Sequence, residues 1–101
     1  HIEQVLVNLV ANASEAGGQN VAISVAEQDN RVVLRVKDDG AGMDVDTLEH
    51  AFEPFFTTKG TGSGIGLSAV KSIVEQSGGD VRAESTESRG STFIVRLPLV
   101  R

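Results

Sequence analysis

Four glycines fall within seven residues, at Gly60, Gly62, Gly64 and Gly66, and the chain then passes at once into an amphipathic pattern. No other feature limits the fold as much. A run so poor in Cβ atoms is costly inside a helix or a strand, so it reads as a loop. The stretch after it, Ile65 to Ser77, carries Leu67, Val70, Ile73 and Val74 at helical spacing and is stopped by Gly78-Gly79. The loop therefore delivers the chain to a helix N-terminus. Free backbone N–H groups and the helix dipole make such an end a site for phosphate. Lys59 adds a positive charge beside the run, in a chain whose net charge is −5. Two phosphate motifs are excluded. No Gly-Lys-Ser/Thr follows the glycines, so this is not a P-loop. The dinucleotide fingerprint needs a strand just before its glycines, whereas Phe52 to Lys59 does not alternate and contains Pro54.

The rest of the chain supplies a scaffold for that loop. His1 to Ala16 places Ile2, Val5, Leu6, Leu9, Val10, Ala13 and Ala16 on one helical face, and Gly17-Gly18 ends the helix. No capping residue precedes Ile2, which implies that the helix begins upstream and that the 101 residues belong to a longer chain. Val21 to Gln28 and Arg31 to Asp38 alternate, with Asp29-Asn30 as a hairpin turn between them. Asp44 to Phe52 reads as a short helix with Asp44 as N-cap. Val81 to Ser85 and Ser91 to Leu97 read as two further strands, the last ended by Pro98. Paired strands interleaved with helices predict one domain over residues 1–101, a mainly antiparallel sheet covered by helices on one face.

Two other places could carry chemistry. On the first helix Asn8, Asn12 and Glu15 fall together at about 60–120° on the helical wheel, beside the apolar face centred near roughly 200°. Three oxygen-bearing side chains on one groove edge suit a hard cation such as Mg²⁺, which takes few protein ligands. The second place is Asp38-Asp39-Gly40-Ala41-Gly42, directly after a strand. A carboxylate there can accept a hydrogen bond from an amine such as that of adenine, and the glycines let backbone approach a flat ligand. Each feature is common alone. Asparagines border many core helices, and Asp-Gly leaves many strands. Their order and spacing along one chain carry the signal.

Composition removes other classes. Cysteine is absent, so disulfides, thiolate metal sites and cysteine nucleophiles are excluded together. His1 and His50 are too few and too far apart for a histidine metal site, and His50 reads as a helix-surface residue. Scattered basic residues and 4% aromatics, all Phe, argue against nucleic acid. No apolar run is long enough for a transmembrane helix, and no leader opens the chain, so direct membrane contact is not expected.

On these residues the chain resembles the ATP-binding catalytic domain of sensor histidine kinases, within the Bergerat-fold superfamily that includes gyrase, a heat-shock chaperone and mismatch-repair ATPases. Gln4 to Ala13 looks like the N box and Asp38 to Gly42 like the first glycine box. Phe52 to Lys59 looks like the F box, and Gly62-Ser63-Gly64-Ile65-Gly66-Leu67 like the second glycine box. Arg89-Gly90-Ser91-Thr92-Phe93, ahead of Leu97-Pro98, looks like the closing motif.

The resemblance implies a two-layer α+β sandwich, its sheet mixed and mainly antiparallel with three helices on one face, binding Mg-ATP. By it, Asn12 coordinates Mg²⁺, with Asn8 assisting or contacting the phosphates and Glu15 meeting the ion through water. Asp38 recognises the adenine amine. Gly40 and Gly42 belong to the ring's approach, and Met43 and Phe56 are candidate walls. Residues 62–67 bind the phosphates, Lys59 neutralises their charge, and Thr92 reaches the adenine edge through water. The short segment between the F box and the second glycine box implies a compact lid. The γ-phosphoryl group goes to a histidine on a separate dimerisation and phosphoacceptor domain, and onward to a response regulator, in the cytoplasm. Neither His1 nor His50 has the acidic context of that histidine. Many sensor kinases carry Lys or Arg where this chain has Glu15. The gyrase and chaperone branch places a Glu where this chain has Asn8, and an amide does not activate water, so an ATPase is an alternative of lower standing. A degenerate nucleotide-binding module is the other.

Overall fold

The computed structural model describes residues 2–15, 17, 19–53 and 66–99. Helix α1 runs Ile2–Glu15, strands β1 and β2 span Val21–Gln28 and Arg31–Asp38, and helix α2 is Val45–His50. Helix α3 follows at Gly66–Gln76, then strands β3, Asp80–Thr86, and β4, Gly90–Pro98. The elements begin and end where local chemistry requires. Asp29 and Asn30 turn the first hairpin with φ of 53° and 61°, the two left-handed residues of a type I′ turn. Asp44 caps α2, its carboxylate accepting from the Thr47 N–H at 2.8 Å. The α3 terminus closes as a Schellman motif, with the Gly79 N–H donating to Val74 O and the Gly78 N–H to Glu75 O, both at 3.0 Å.

The sheet order is β1-β2-β4-β3, and all three pairings are antiparallel. The parallel component implied by a mixed sheet is therefore absent among the described residues. Two local hairpins meet along β2 and β4, and that junction is antiparallel as well. Directly opposed residues share a face. Leu34 and Val36 thus join Val95 and Phe93 on the face that meets Val5 and Leu9 of α1 and Val70 and Val74 of α3. These eight residues form the core. Phe52, just beyond α2, sets its ring edge-on to Phe93 with centroids 6.2 Å apart.

The helical layer does not cover the whole sheet. Val21, Ile23 and Val25 lie opposite Asp38, Val36 and Leu34 and so point to the same face, yet they are 38%, 48% and 66% exposed. Helix α1 lies over β2 and beside α3, which leaves the edge strand β1 outside the core. Among the described residues no helix is long and apolar enough to cross a membrane.

Candidate functional site

The site assembles at the end of the sheet where β2 gives out. Asp38 is its last residue and is only 3% exposed, although the core around it is apolar. Its Oδ1 accepts the Gly40 N–H at 2.9 Å, which turns the chain immediately after the strand. Asp39 points elsewhere. Its carboxylate accepts the N–H groups of Gln19 and Asn20 and the Asn20 side-chain amide, at 2.8–3.0 Å. The hydrogen bond from the Asn20 backbone, with those from the Asn20 side chain and Gln19, lowers the Asp39 pKa. One acid is thus left inside the site and its neighbour ties down the α1–β1 connection.

The loop after Asp38 is clasped by the β3–β4 turn. Gly42 has φ of +71°, and a Cβ there would lie 2.1 Å from the Thr86 carbonyl oxygen. Gly90 has φ of +92°, and a Cβ there would lie 2.0 Å from the Asp38 carbonyl oxygen. The Ser88 N–H donates to Ala41 O at 2.6 Å, and the Met43 N–H donates to Ser85 Oγ at 2.7 Å. The close approach that Gly42 permits in this structure is therefore to the protein's own backbone. Met43 is half-buried and packs against the core, as does Leu67.

The register decides which closing-motif hydroxyl meets Asp38. Ser91 is the cross-strand partner of Asp38 and is buried at 6% exposure. Ser85 is in turn the partner of Ser91, and their hydroxyls lie 2.8 Å apart. Thr92 pairs with Lys37 and Glu84, both exposed, so its side chain leaves from the opposite face. Of the closing-motif hydroxyls, the register places Ser91 on the face of Asp38, with Ser85 next in the same row, and Thr92, the residue expected at the adenine edge, on the other face. The signal was present in the sequence. Phe93 and Val95 are the apolar positions of β4, and a period of two puts Ser91 in their row.

The second wall is helical. Asn8 and Asn12 are both half-buried and lie one turn apart on α1. The Asn8 amide donates to the Gly66 carbonyl at 3.2 Å and accepts from Gln4 Nε2 at 2.8 Å. This bond joins the asparagine helix to the first residue of α3. Two half-buried amides on one side of a helix offer the oxygen donors that a hard cation accepts. Glu15 is the last residue of α1. Phe56, Lys59, Gly62, Ser63, Gly64 and Ile65, and the lid they imply, lie outside the described residues.

His50 stands apart from this site, on exposed α2. Its Nδ1 pairs with Glu53 Oε2, and its Nε2 lies 3.8 Å from Asp46 Oδ1. The hydrogen bond to Glu53, helped by the charges of Glu53, Asp46 and Glu49, raises its pKa.

Comparison with known proteins gives a consistent result. The profile of the histidine kinase-, DNA gyrase B- and HSP90-like ATPase family matches residues 1–101. The chain is 46% identical over 100 residues to the sensor histidine kinase ZraS of Escherichia coli K12, covering 97% of this chain and 22% of that protein. It is 44% identical over 102 residues to the sensor protein FixL of Bradyrhizobium diazoefficiens, covering 96% and 20%. The catalytic domain of histidine kinase ThkA, solved free of nucleotide, superposes with a TM-score of 0.82 at 40% identity, covering 96% of this chain and 65% of that one. The chain thus spans about a fifth of the length of the curated relatives it matches.

Proposed function

The chain belongs to the histidine kinase-, DNA gyrase B- and HSP90-like ATPase family, and we propose that it is the ATP-binding catalytic domain of a protein-histidine kinase. It binds Mg-ATP and presents the γ-phosphoryl group to a histidine on a separate dimerisation and phosphoacceptor domain. That domain passes the group to a response regulator in two-component signalling, at the cytoplasmic side where ATP is held. The relative named as a sensor histidine kinase and the solved catalytic domain of a histidine kinase support this reading.

The observation that carries it is the Asp38 carboxylate, buried at the rim of an apolar core with one of its oxygens committed to Gly40. Burying a carboxylate is costly unless donors meet it, and one backbone N–H leaves acceptor capacity for another. The exocyclic amine of adenine is such a donor, and Ser91 stands beside it on the same face. Across the site Asn12, with Asn8 assisting, would hold Mg²⁺. Bound there, the ion would offset phosphate charge. Residues 62–67 and Lys59 would bind the phosphates, and Phe56 would join Met43 in flanking the base. Catalysis by such a domain consists of positioning and charge neutralisation.

Asn8 also weighs against the ATPase alternative. A side-chain amide does not take a proton from water near neutral pH, and this one is oriented by its bonds to Gly66 and Gln4.

Calorimetric titration with a non-hydrolysable ATP analogue tests the reading. Saturable binding that weakens without Mg²⁺ is expected, and Asp38→Asn should weaken it by about a hundredfold or more, because the new amide turns a donor toward the amine. Equal binding by the wild type and the variant would remove Asp38 from the base site.

A further inference from the structure

We propose that Ser85 is a positioning residue. It fixes the direction of the Ser91 hydroxyl and thereby sets which base the pocket beside Asp38 accepts. The inference rests on the nucleotide reading above and adds to it the origin of the base preference.

A serine hydroxyl has one proton and two lone pairs. The Met43 N–H donates to Ser85 Oγ at 2.7 Å and occupies one lone pair. The Gly90 carbonyl oxygen lies 3.0 Å away and can only accept, whereas Ser91 Oγ can also donate, so the arrangement that satisfies both contacts sends the Ser85 proton to Gly90. Ser91 Oγ lies 2.8 Å from Ser85 Oγ, and a lone pair is all that Ser85 still has to offer. Ser91 is therefore the donor of that bond. Asp38, Ser91 and Ser85 are successive cross-strand partners in one row, with Ser91 in the middle. Its proton is committed toward Ser85, on the far side from Asp38. What remains for the site is lone pairs.

The edge of the pocket is then built of acceptors only, the Asp38 carboxylate and the Ser91 oxygen, both buried. Such an edge pairs with a 6-amino purine, directly or through a water that gives its protons to the protein. A 6-oxo purine bound in the same orientation would set its O6, an acceptor, against the Asp38 and Ser91 oxygens where the 6-amino group donates, and leave those buried groups unpaired. Ser85 need not touch the base to impose this preference. Its second bond, to Met43, holds the loop and weakens or strengthens both purines alike.

The test titrates non-hydrolysable ATP and GTP analogues against the full-length protein and compares their affinities. Ser85→Ala frees the Ser91 proton to rotate toward the site, and the ATP-to-GTP affinity ratio should fall by about tenfold or more. The loosened Met43 tether lowers both affinities and leaves the ratio alone, so the ratio separates the two effects. Ser85→Thr keeps the hydroxyl and should restore the wild-type ratio. In a Ser91→Ala background, Ser85→Ala should leave the ratio unchanged, since no hydroxyl remains to be oriented. If Ser85→Ala does not fold, Ser85→Cys, a poor donor and acceptor of similar size, takes its place. A folded Ser85→Ala or Ser85→Cys protein with the wild-type ratio overturns the proposal, and so does an equal drop in the Ser91→Ala background. Either result leaves the nucleotide reading standing if the wild type binds ATP. A wild type that binds neither purine overturns both.

Discussion

The two walls of the candidate site are made differently. The sheet wall, from Asp38 through the 39–43 loop to Ser91 and Ser85, is set by strand register, with the Asp38 and Ser85 side-chain oxygens clasping backbone around it. Strand register fixes the row, the β3–β4 turn grips the loop, and four hydrogen bonds of 2.6–3.0 Å close it. The helix wall is held by side chains. Asn8 reaches α3 through a single bond of 3.2 Å to Gly66, and Asn12 lies one turn further along. The contrast fits the chemistry proposed for each wall. A flat heterocycle is read by acceptors that must already be in place, which a strand register provides. A hydrated cation and phosphates are held by charge and by ligands on long side chains, where small adjustments are tolerated.

If that contrast is correct, breaking the sheet wall costs more than breaking the helix wall. Gly42→Ala is the severest test. The new Cβ would overlap the Thr86 carbonyl in a left-handed conformation, and neither partner is a side chain that can swing aside. A loss on the order of 3 kcal/mol is expected in urea unfolding, with nucleotide binding abolished. A loss below about 1 kcal/mol would mean that the turn yields readily and the sheet wall is not rigid. Asn8→Ala removes one amide bond between two helices, worth about 1 kcal/mol in the same assay. If it costs as much as Gly42→Ala, the two walls are equally coupled to the core and the comparison fails.

The same contrast governs what could be read from the sequence. Period and punctuation are local, so the seven elements were legible, down to Asp44 as a cap and Asp29-Asn30 as a turn. Asp38 was legible as well, because a strand end followed by Asp-Gly-X-Gly limits what the chain can do there. Strand order was not, since nothing in β2 states that β4 will be its neighbour. The exposure of Val21, Ile23 and Val25 was hidden for a related reason. Alternation reveals that a strand has an apolar face, not that a helix will lie over it. The choice between Ser91 and Thr92 fell between these cases. It depended on strand phase, which Phe93 supplied and a motif match does not carry. Ser85 had only the weaker phase of Val81 and Ala83 to mark it, and although its bonds to Gly90 and Ser91 lie within its own hairpin, the bond from Met43 comes from a distant segment. The Gly42 contact with Thr86 is likewise tertiary.

Helix α2 gives the baseline for both walls, because its pairing is wholly on the surface. His50 is held between Glu53 and Asp46, with Glu49 adding negative charge, and these groups raise its pKa above the ordinary 6.5. The sign follows from that direction. The folded state binds the proton more tightly than the unfolded chain, so the pairing adds stability in full below about 6.5. That contribution is lost as pH rises through the elevated folded value. His50→Gln should therefore lower the melting temperature slightly at acidic pH and leave it unchanged in alkali, and added salt should shrink the acid-side difference. The measurement is a pair of melting curves across pH for the wild type and the variant. A difference that grows toward high pH would mean that the neutral imidazole, not the ion pair, is what α2 relies on. A difference as large as that of Asn8→Ala would place the α2 surface on the same footing as the helix wall, and surface pairing could no longer serve as the floor against which the two walls are compared.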